Sequence, residues 1–479
     1  MAVELREHFR QALPKSGFCS LRAEHQQDEV IQVRQGVLQP IRTFEDEGAM
    51  VTRIEGGGLG YAATSDLAAS GLREAIDRAS RWAAATAGRS VFDFSKVAMP
   101  HPKGEYETPV AQPWDGVALA DKIDFVRREC ERLKVDDRIA DWEAGVWYSK
   151  TTTRYYTNEG GEARRVIHRM YPFMRATAAE GDRSQSRGFG GNPGGVTVQG
   201  GLEVLEWCGW TQAAPQLAAE ALELLAAPNC PTEKMDLLLD SDQMYLQIHE
   251  SIGHPLELDR ILGDERNYAG TSFVKLEDIG SFRYGSDLLN IVFDPTDPHA
   301  FASYDFDDDG VKAEKLYIIE KGILKRALGS LISQTRAGVP GVANSRADGW
   351  RRPPIDRMAN INLEAGDATL EAMIGAVERG IFMKSNNSWS IDDSRNKFQF
   401  GCEYGRLIEN GKLTTVVRNP NYRGISSAFW NNLKRVGGRS TVRHMGAVNC
   451  GKGEPNQTMR VGHVTPPALF AQVEVFGGV

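Results

Sequence analysis

The sequence lacks the features that mark several large classes of protein. Its 479 residues contain no run of about 18 apolar residues, so we expect no membrane-spanning helix. Lys and Arg (56) do not outnumber Asp and Glu (64), and the formal net charge of −8 argues against a nucleic-acid binder. The first residues show no apolar signal-peptide stretch, so the expected compartment is the cytoplasm.

Cysteine is scarce and follows no regular spacing. The chain has 6 cysteines, with no Cys-x-x-Cys pair among them. In a chain of this length we expect reduced thiols and no disulfide framework. Any chemical role for cysteine must therefore fall on a single thiol. The 41% hydrophobic and 25% charged residues are typical of a globular protein.

The first part of the chain alternates helical and strand patterns. Strands are predicted at residues 26–37, 48–54, 142–148, 151–158 and 163–170, and helices at 65–79, 118–133 and 216–227. This mixture favours an α+β domain over residues 1–228. Within that domain, the segment 183–201 is rich in Gly, Ser and Gln, so it is predicted to be a flexible loop.

Residues 229–479 consist mostly of strand patterns separated by turns. Ile318–Leu324 and Leu407–Leu413 resemble each other, and both predict hairpins because Gly322 and Gly411 can supply positive φ at the turn. We therefore expect a β-rich C-terminal domain.

The strongest chemical pattern lies in a helix predicted to begin at Asp240, which has the spacing of a capping box with Gln243. Its last turn holds His249 and Glu250, and His254 lies just past its end. A His-Glu pair followed by a second His is typical of zinc proteases, but here the histidines are five residues apart. On an unbroken α-helix they would lie about 140° apart, too far to share one ion. A capped helix with two surface histidines is therefore the alternative.

Gly253 and Pro255 supply the break that a shared metal ion needs. Glycine permits a left-handed or widened turn, and proline prevents the helix from continuing. His254 would then lie beside His249. Glu250 would face the open coordination position, as a general base for metal-bound water must.

A catalytic zinc ion usually takes three protein ligands. Candidates for the third ligand are Glu257, Asp259, His444, Cys450 and His463. Cys450 leads on chemical grounds because it lies in a glycine turn, where a metal or the nearby Lys452 would favour the thiolate. The residues alone leave this choice open.

These residues carry a resemblance to the TldD/PmbA family, and within it to the branch that has the His-Glu-x-x-x-His motif. The matching stretches are His249-Glu250-Ser251-Ile252-Gly253-His254, Glu257-Leu258-Asp259, Asn449-Cys450-Gly451-Lys452-Gly453, Gln457-Thr458 and Val461-Gly462, with residues 56–67, 307–324 and 407–417. They span nearly the whole chain in the family's order. The chain departs from the commoner pattern at Pro255, where many members have Gly.

The resemblance implies a zinc metallopeptidase with one Zn²⁺ per chain. It implies an N-terminal α+β domain followed by a barrel-like, antiparallel C-terminal domain that carries the peptidase site, over 229–479. His249, His254 and Cys450 would bind the metal, and Glu250 would activate water. Substrates would be unfolded or extended peptides, such as leader peptides or antitoxin-like proteins. The chain would form a dimer with a PmbA-type (TldE-type) paralogue or with itself.

Two other readings remain open. Dipeptidyl peptidase III also uses a His-Glu-x-x-Gly-His pattern, but with a glutamate third ligand for which this sequence has no clear counterpart. A non-catalytic, zinc-stabilised peptide-binding or scaffold subunit would hold a four-coordinate metal and leave Glu250 on the surface.

Overall fold

The structure, a computed structural model, describes residues 2–191 and 194–478. None of the helices in this part of the chain is long and apolar enough to cross a membrane. Up to residue 228 the helices and strands are α1 (Ala2–Ala12), β1 (Phe18–Arg34), β2 (Val37–Leu38), β3 (Arg42–Glu55), β4 (Gly58–Thr64), α2 (Ala69–Thr86), β5 (Lys103–Glu107), α3 (Leu119–Glu131), β6 (Ile139–Thr157), β7 (Glu162–Glu180), β8 (Arg183–Gly188), β9 (Gly194–Val196), β10 (Val198–Gln199), α4 (Glu203–Trp207) and α5 (Trp210–Ala226).

The rest of the chain is dominated by strands. Its elements are β11 (Glu233–Leu239), α6 (Ser241–Ile248), α7 (Leu258–Leu262), α8 (Arg266–Ala269), β12 (Ile291–Phe293), β13 (Leu316–Glu320), β14 (Ile323–Leu324), α9 (Leu331–Ala337), β15 (Ser345–Arg346), β16 (Ile355–Asp356), β17 (Ile361–Leu363), α10 (Leu370–Gly375), β18 (Arg379–Ile391), β19 (Lys397–Glu409), β20 (Lys412–Val417), β21 (Pro420–Ile425), α11 (Ser426–Asn431), β22 (Leu433–Val436), β23 (Arg443–Lys452), β24 (Gln457–Thr465) and β25 (Ala468–Gly477).

A nine-stranded sheet forms the centre of the first part. Its strand order is β10-β7-β6-β1-β3-β4, with β2 on β1 and with β5 and β8 on β7. Helix α2 buries Leu72, Ala75 and Ile76 in the core beside β3. The strands predicted at 142–148 and 151–158 are parts of the single strand β6, since neither Gly nor Pro interrupts the chain between them. The α+β prediction is confirmed.

The segment 183–201, predicted as a flexible loop, contains three short strands. Strands β8 and β10 pair with β7, and β9 pairs with β23. Asn192 and Pro193 lie outside the described residues. Glycine allows the backbones of β9 and β23 to lie close together here, because a Cβ atom on Gly194 would lie 2.1 Å from the Gly446 carbonyl oxygen. Because β9 joins a sheet of the second part, the boundary after residue 228 stays a prediction.

The second part is built around a closed five-stranded barrel. Its strands follow the order β11-β18-β19-β21-β25, and pairing between β11 and β25 closes it. The expected barrel-like domain is thereby confirmed, with one departure from an antiparallel arrangement, because β11 and β18 run parallel. Strand β11 leads directly into α6, every residue of which is buried.

Both predicted hairpins are present. The β13–β14 turn places Lys321 and Gly322 at φ of 48° and 74°, and the β19–β20 turn places Asn410 and Gly411 at 50° and 74°. Two consecutive positive φ values are the conformation of a type I′ turn, which matches the twist of the paired strands.

Arg187 joins the two parts of the chain through a buried ion network. Its guanidinium donates to Glu220 on α5 at 2.9 Å and to Glu403 on β19 at 2.8 Å. The Arg187 and Glu403 side chains are each 2% exposed. Removing one member of such a pair leaves the other charge buried without compensation.

We therefore expect Arg187→Leu to lower the free energy of unfolding by about 3–5 kcal/mol. The matched control is Arg423→Leu, which breaks the Arg423–Glu474 pair, whose side chains are 60% and 57% exposed. That change should lower it by no more than about 1 kcal/mol. Urea unfolding followed by circular dichroism measures both, and equal effects would contradict the role assigned to the network.

Candidate metal centre

A widened helical turn follows α6 and carries the predicted histidines. The chain is π-helical over His249–Gly253 and then forms a 3₁₀ turn over His254–Leu256. The backbone N–H of His254 donates to the carbonyl oxygen of His249, five residues earlier. An i to i+5 hydrogen bond stacks these residues above one another, and the ring centroids lie 4.8 Å apart. The expected break in the helix is present as a widened turn.

Gly253 is needed here for space and not for its freedom of φ. Its φ is −58°, an ordinary helical value. A Cβ atom at this position would, however, lie 2.0 Å from the sulfur of Met358, a fully buried side chain. Pro255, which has no N–H to donate, follows within the 3₁₀ turn.

The start of α6 agrees in part with the capping residues that the sequence predicts. Asp240 caps the helix by accepting a hydrogen bond from the backbone N–H of Ser241 at 2.8 Å. Gln243, at the spacing of a capping box, instead donates to the hydroxyl of Tyr422 at 2.9 Å. A buried hydroxyl from a distant part of the chain therefore binds the side chain that the local sequence pattern predicted to cap the helix.

His249, His254 and Cys450 form the only group of three potential metal ligands found in residues 2–191 and 194–478. Their potential ligand atoms all lie within 4.8 Å of one another, and Cys450 Sγ is 3.4 Å from His254 Nε2. All three residues are buried. Cys450 lies on β23, about 200 residues after α6 in the sequence. The pairing of β23 with β24 shifts register between Ala447 and Cys450.

The hydrogen bonds of His463 fix which nitrogen of His249 is free. His463 Nδ1 lies 2.7 Å from the carbonyl oxygen of Ile361, which can only accept. His463 Nδ1 therefore carries the proton, and its Nε2 accepts from His249 Nδ1 at 2.9 Å. This leaves Nε2 of His249 with a lone pair. Burial lowers the pKa of both imidazoles, which keeps them neutral as metal binding requires.

Glu257 orients His254 in the same way. His254 Nδ1 donates to Glu257 Oε2 at 2.9 Å, which leaves His254 Nε2 directed at Cys450 Sγ, 3.4 Å away. Burial of Glu257 would raise its pKa, but Lys452, His254 and Arg357 together lower it below the ordinary value. Glu257 is therefore a carboxylate that holds a histidine, an arrangement common around bound metals.

A cation lowers the pKa of the Cys450 thiol, but it is not the one that the sequence indicated. Burial raises this pKa, and Arg357 and His254 more than offset that effect. Lys452 instead donates to Asp259 at 2.6 Å and lies 3.5 Å from Glu257. Arg357, whose Nη2 donates to the carbonyl oxygen of Cys450 at 2.7 Å, was missed because the sequence places it 93 residues away.

The other candidates for the third ligand lie in different surroundings. Asp259 pairs with Lys452, and Glu257 and His463 orient the two histidines. His444 pairs with Asp297 at 3.0 Å and packs against Trp207. Because both nitrogens of His463 are engaged, it has no free N–H to donate to a substrate oxyanion.

Glu250 is buried beside the cluster and is held by one cation. Its Oε2 accepts from Arg395 Nη1 at 2.9 Å, and its side chain is 7% exposed. Among the described residues none donates a hydrogen bond to Oε1. Arg395 lies at the tip of the hairpin between β18 and β19, with φ of 62°. The site thus combines two imidazole rings oriented by hydrogen bonds, a thiol of lowered pKa and a carboxylate with one oxygen that no described residue hydrogen-bonds.

The sequence matches one family over two segments. The family domain described as "PmbA/TldA metallopeptidase C-terminal domain" matches residues 232–477, and "PmbA/TldA metallopeptidase domain 1" matches residues 19–83. The first match covers more than half of the chain and includes every residue of the cluster.

Individual proteins with similar sequences carry related names. A metalloprotease of Methanocaldococcus jannaschii is 34% identical over 48% of this chain, and the chain spans about half (49%) of that protein. A "Metalloprotease TldD homolog" of Haemophilus influenzae is 24% identical over 94% of this chain and 91% of its own length. The solved structure of TldE from Thermococcus kodakarensis superposes over 100% of both chains with a TM-score of 0.74 and 16% identity, which shows a shared fold.

We expect Gly253→Ala to lower the free energy of unfolding by about 1–3 kcal/mol, because the new methyl group overlaps Met358. The double variant with Met358→Ala should show a smaller loss than the sum of the two single changes, since the overlap is gone. Chemical unfolding of the four proteins of this cycle measures the difference.

The matched control for this cycle is Gly375→Ala. A Cβ atom there would meet nothing within 4 Å, and the residue ends helix α10. This change should leave the stability nearly unchanged. Strict additivity in the Gly253–Met358 cycle would contradict the view that Met358 is what requires glycine.

Proposed function

We propose that this chain, which belongs to the PmbA/TldA metallopeptidase family, is a zinc peptidase that hydrolyses peptide bonds in unfolded or extended chains. The observation that carries the proposal is the convergence of His249, His254 and Cys450, with Nδ1 of each histidine engaged in a hydrogen bond so that Nε2 remains for a metal ion. Zinc would be held by these three residues, and Glu250 would act as the general base.

The donor set favours zinc over other divalent ions. Two imidazole nitrogens and one thiolate suit zinc, whereas calcium and magnesium prefer oxygen ligands. Three protein ligands leave a fourth position open, as in catalytic zinc sites. When bound there, zinc would polarise the scissile carbonyl and lower the pKa of water toward about 7.

The residues of the chain would carry the proton transfers. Glu250 has an oxygen without a hydrogen-bond donor among the described residues, so it can accept the proton of the attacking water. It would then pass that proton to the nitrogen of the leaving amine. Arg395 would keep the carboxylate oriented through both steps, and Glu257 and His463 would keep the two histidine rings fixed.

Burial of the site supports an extended substrate. The cluster residues and Glu250 are each 6% exposed or less. A scissile bond inside a folded domain could not approach atoms at this depth, whereas a single extended segment could. We therefore propose unfolded proteins and unstructured peptides as the substrate class.

We further propose that the chain works as a dimer with a TldE-type paralogue or with a second copy of itself. The likeness in fold to TldE supports this, because two chains with one architecture can pair through equivalent surfaces. Cleavage assays with and without the paralogue distinguish the two assemblies.

The first test is the metal content of purified protein by elemental analysis. We expect about one zinc per chain in the wild type. Cys450→Ser should lose it, because a hydroxyl is a much weaker zinc ligand than a thiolate. The matched control is Cys402→Ser, since Cys402 is also buried but lies outside the cluster, and this variant should keep its zinc.

Zinc retained in full by Cys450→Ser would contradict the proposed ligand set. A wild type that holds no metal after preparation without chelators would remove the basis for the catalytic proposal. The chain would then be better described as a structural member of its family.

The second test is cleavage of a fluorescently labelled unstructured peptide by Glu250→Gln. Glutamine has the shape of glutamate but cannot take a proton, so we expect kcat to fall by about 10²–10⁴-fold with zinc content unchanged. Glu409→Gln is the matched control, because Glu409 lies at the β19–β20 hairpin and pairs with Arg379. Its kcat should equal that of the wild type.

Full cleavage by Glu250→Gln would show that another group is the base. A zinc-loaded wild type without cleavage, either alone or with the paralogue, would instead favour a zinc-stabilised scaffold or peptide-binding subunit. The zinc content and the cleavage rate therefore test different parts of the proposal.

A further inference from the structure

A cavity lies between the nine-stranded sheet and the antiparallel strands β23 and β24. It has a volume of about 120 Å³ and is separate from the residues of the metal cluster. Strands β6 and β7 form one wall, and residues 346–349 with β23 and β24 form the other. Four arginines line it: Arg165, Arg169, Arg346 and Arg460.

Arg169 has no carboxylate partner among residues 2–191 and 194–478. Its Nε donates to the carbonyl oxygen of Phe301 and its Nη1 to the hydroxyl of Thr151, both at 3.3 Å. No described residue accepts a hydrogen bond from its Nη2. The side chain is buried, and its residue is only 8% exposed. Burial and the neighbouring arginines lower its pKa well below the ordinary value.

Arg346 is buried in a similar way. It donates to the backbone carbonyl oxygens of Met358 and Arg460, both neutral acceptors. Burial lowers its pKa to about 10. Arg460 reaches the nearest carboxylate, Asp28, only at 3.9 Å. Arg165 is the one cation of the four with a close partner, Asp308 at 2.7 Å.

The carboxylates that line the cavity are already engaged. Asp308 pairs with Arg165, and Glu24 lies 3.6 Å from Arg22. Asp348 accepts from the backbone N–H and the hydroxyl of Thr458, both at 3.1 Å. Two buried guanidinium groups, those of Arg169 and Arg346, therefore remain without a direct ion pair among the described residues.

The unsatisfied polar atoms of the cavity wall are donors as well. The indole N–H of Trp147 and Nε of Arg165 are buried and have no hydrogen-bond partner. An isolated charge or donor held away from water is strongly unfavourable, so buried cations are normally paired. A wall with several unpaired donors and more arginines than carboxylates favours binding of an anion that accepts hydrogen bonds.

We propose that this cavity binds a small oxyanion, a carboxylate or a phosphate, between Arg169, Arg346 and Arg460. Planar guanidinium groups suit two-point hydrogen bonding to either anion. The site is independent of the metal cluster. It shares strand β23 with it, however, because Val448 and Asn449 line the cavity and Cys450 belongs to the cluster.

The test is thermal unfolding of the full chain in increasing phosphate, with sodium chloride added to hold the ionic strength constant. Binding to the folded state raises the midpoint, by about 3 °C once phosphate is well above its Kd. Arg169→Met should lose this shift. Without phosphate it should unfold at the wild-type temperature or higher, because an unpaired buried charge has been removed.

Two further variants keep the result interpretable. Arg423→Met removes an exposed arginine and the same unit of charge, and it should keep the full phosphate shift. Arg460→Gln, at a less buried position on the cavity wall, should weaken phosphate binding at least about 10-fold by calorimetry even if Arg169→Met fails to fold. Equal phosphate shifts in the wild type and both cavity variants would overturn the proposal.

Acetylglycine and acetylglycinamide identify the source of the anion. They differ only in a carboxylate against a neutral amide. A shift with acetylglycine that the amide does not reproduce assigns the site to peptide carboxylates, and a shift with phosphate alone assigns it to free phosphate. Both results support an oxyanion site, and no shift with any of the three probes refutes it.

Discussion

The arrangement of His249, His254 and Cys450 depends on the close approach of Met358 to Gly253. Because no side chain stands at Gly253, the buried sulfur of Met358 can approach the helix backbone where the turn widens. The widened turn is what brings a histidine five residues along the chain above His249. An unbroken α-helix at this point would separate the two imidazoles, and neither the edge-to-face contact of the rings nor the approach of Cys450 to His254 would follow.

Orientation of the ligands is a second requirement, and it is met from several places in the chain. His249 is held through His463 by the carbonyl oxygen of Ile361, and His254 is held by Glu257. Each chain of hydrogen bonds ends in a group that can only accept, so the proton positions are determined without a metal ion. The orientation of the two histidine rings is thus set by the surrounding residues, as is common around metal sites.

The sequence predicts the parts of this site that are local. The His-Glu pair, the second histidine and the Gly and Pro that break the helix all lie within seven residues, and their order implies the geometry. Arg357 and Met358 could not be predicted, because only the folding of β16 and the residues after it brings them to the turn. The same limit explains why the hydrogen bond of Gln243 was not predicted, since its partner Tyr422 is 179 residues away. It also explains why β9 was predicted as a loop, since its glycines pair with the distant strand β23.

Two buried cations of this fold, Lys452 and Arg169, differ in the charges that surround them. Lys452, fully buried near the cluster, is surrounded by Asp259, Glu257 and Glu265, which raise its pKa despite burial. Arg169, which is buried but 8% exposed, lies near other arginines and donates to neutral oxygens, and burial together with those arginines lowers its pKa. A buried charge is tolerated when its partner is part of the chain, as for Lys452. Where no described residue pairs with the charge, as for Arg169, the same energetic argument favours a partner from solution.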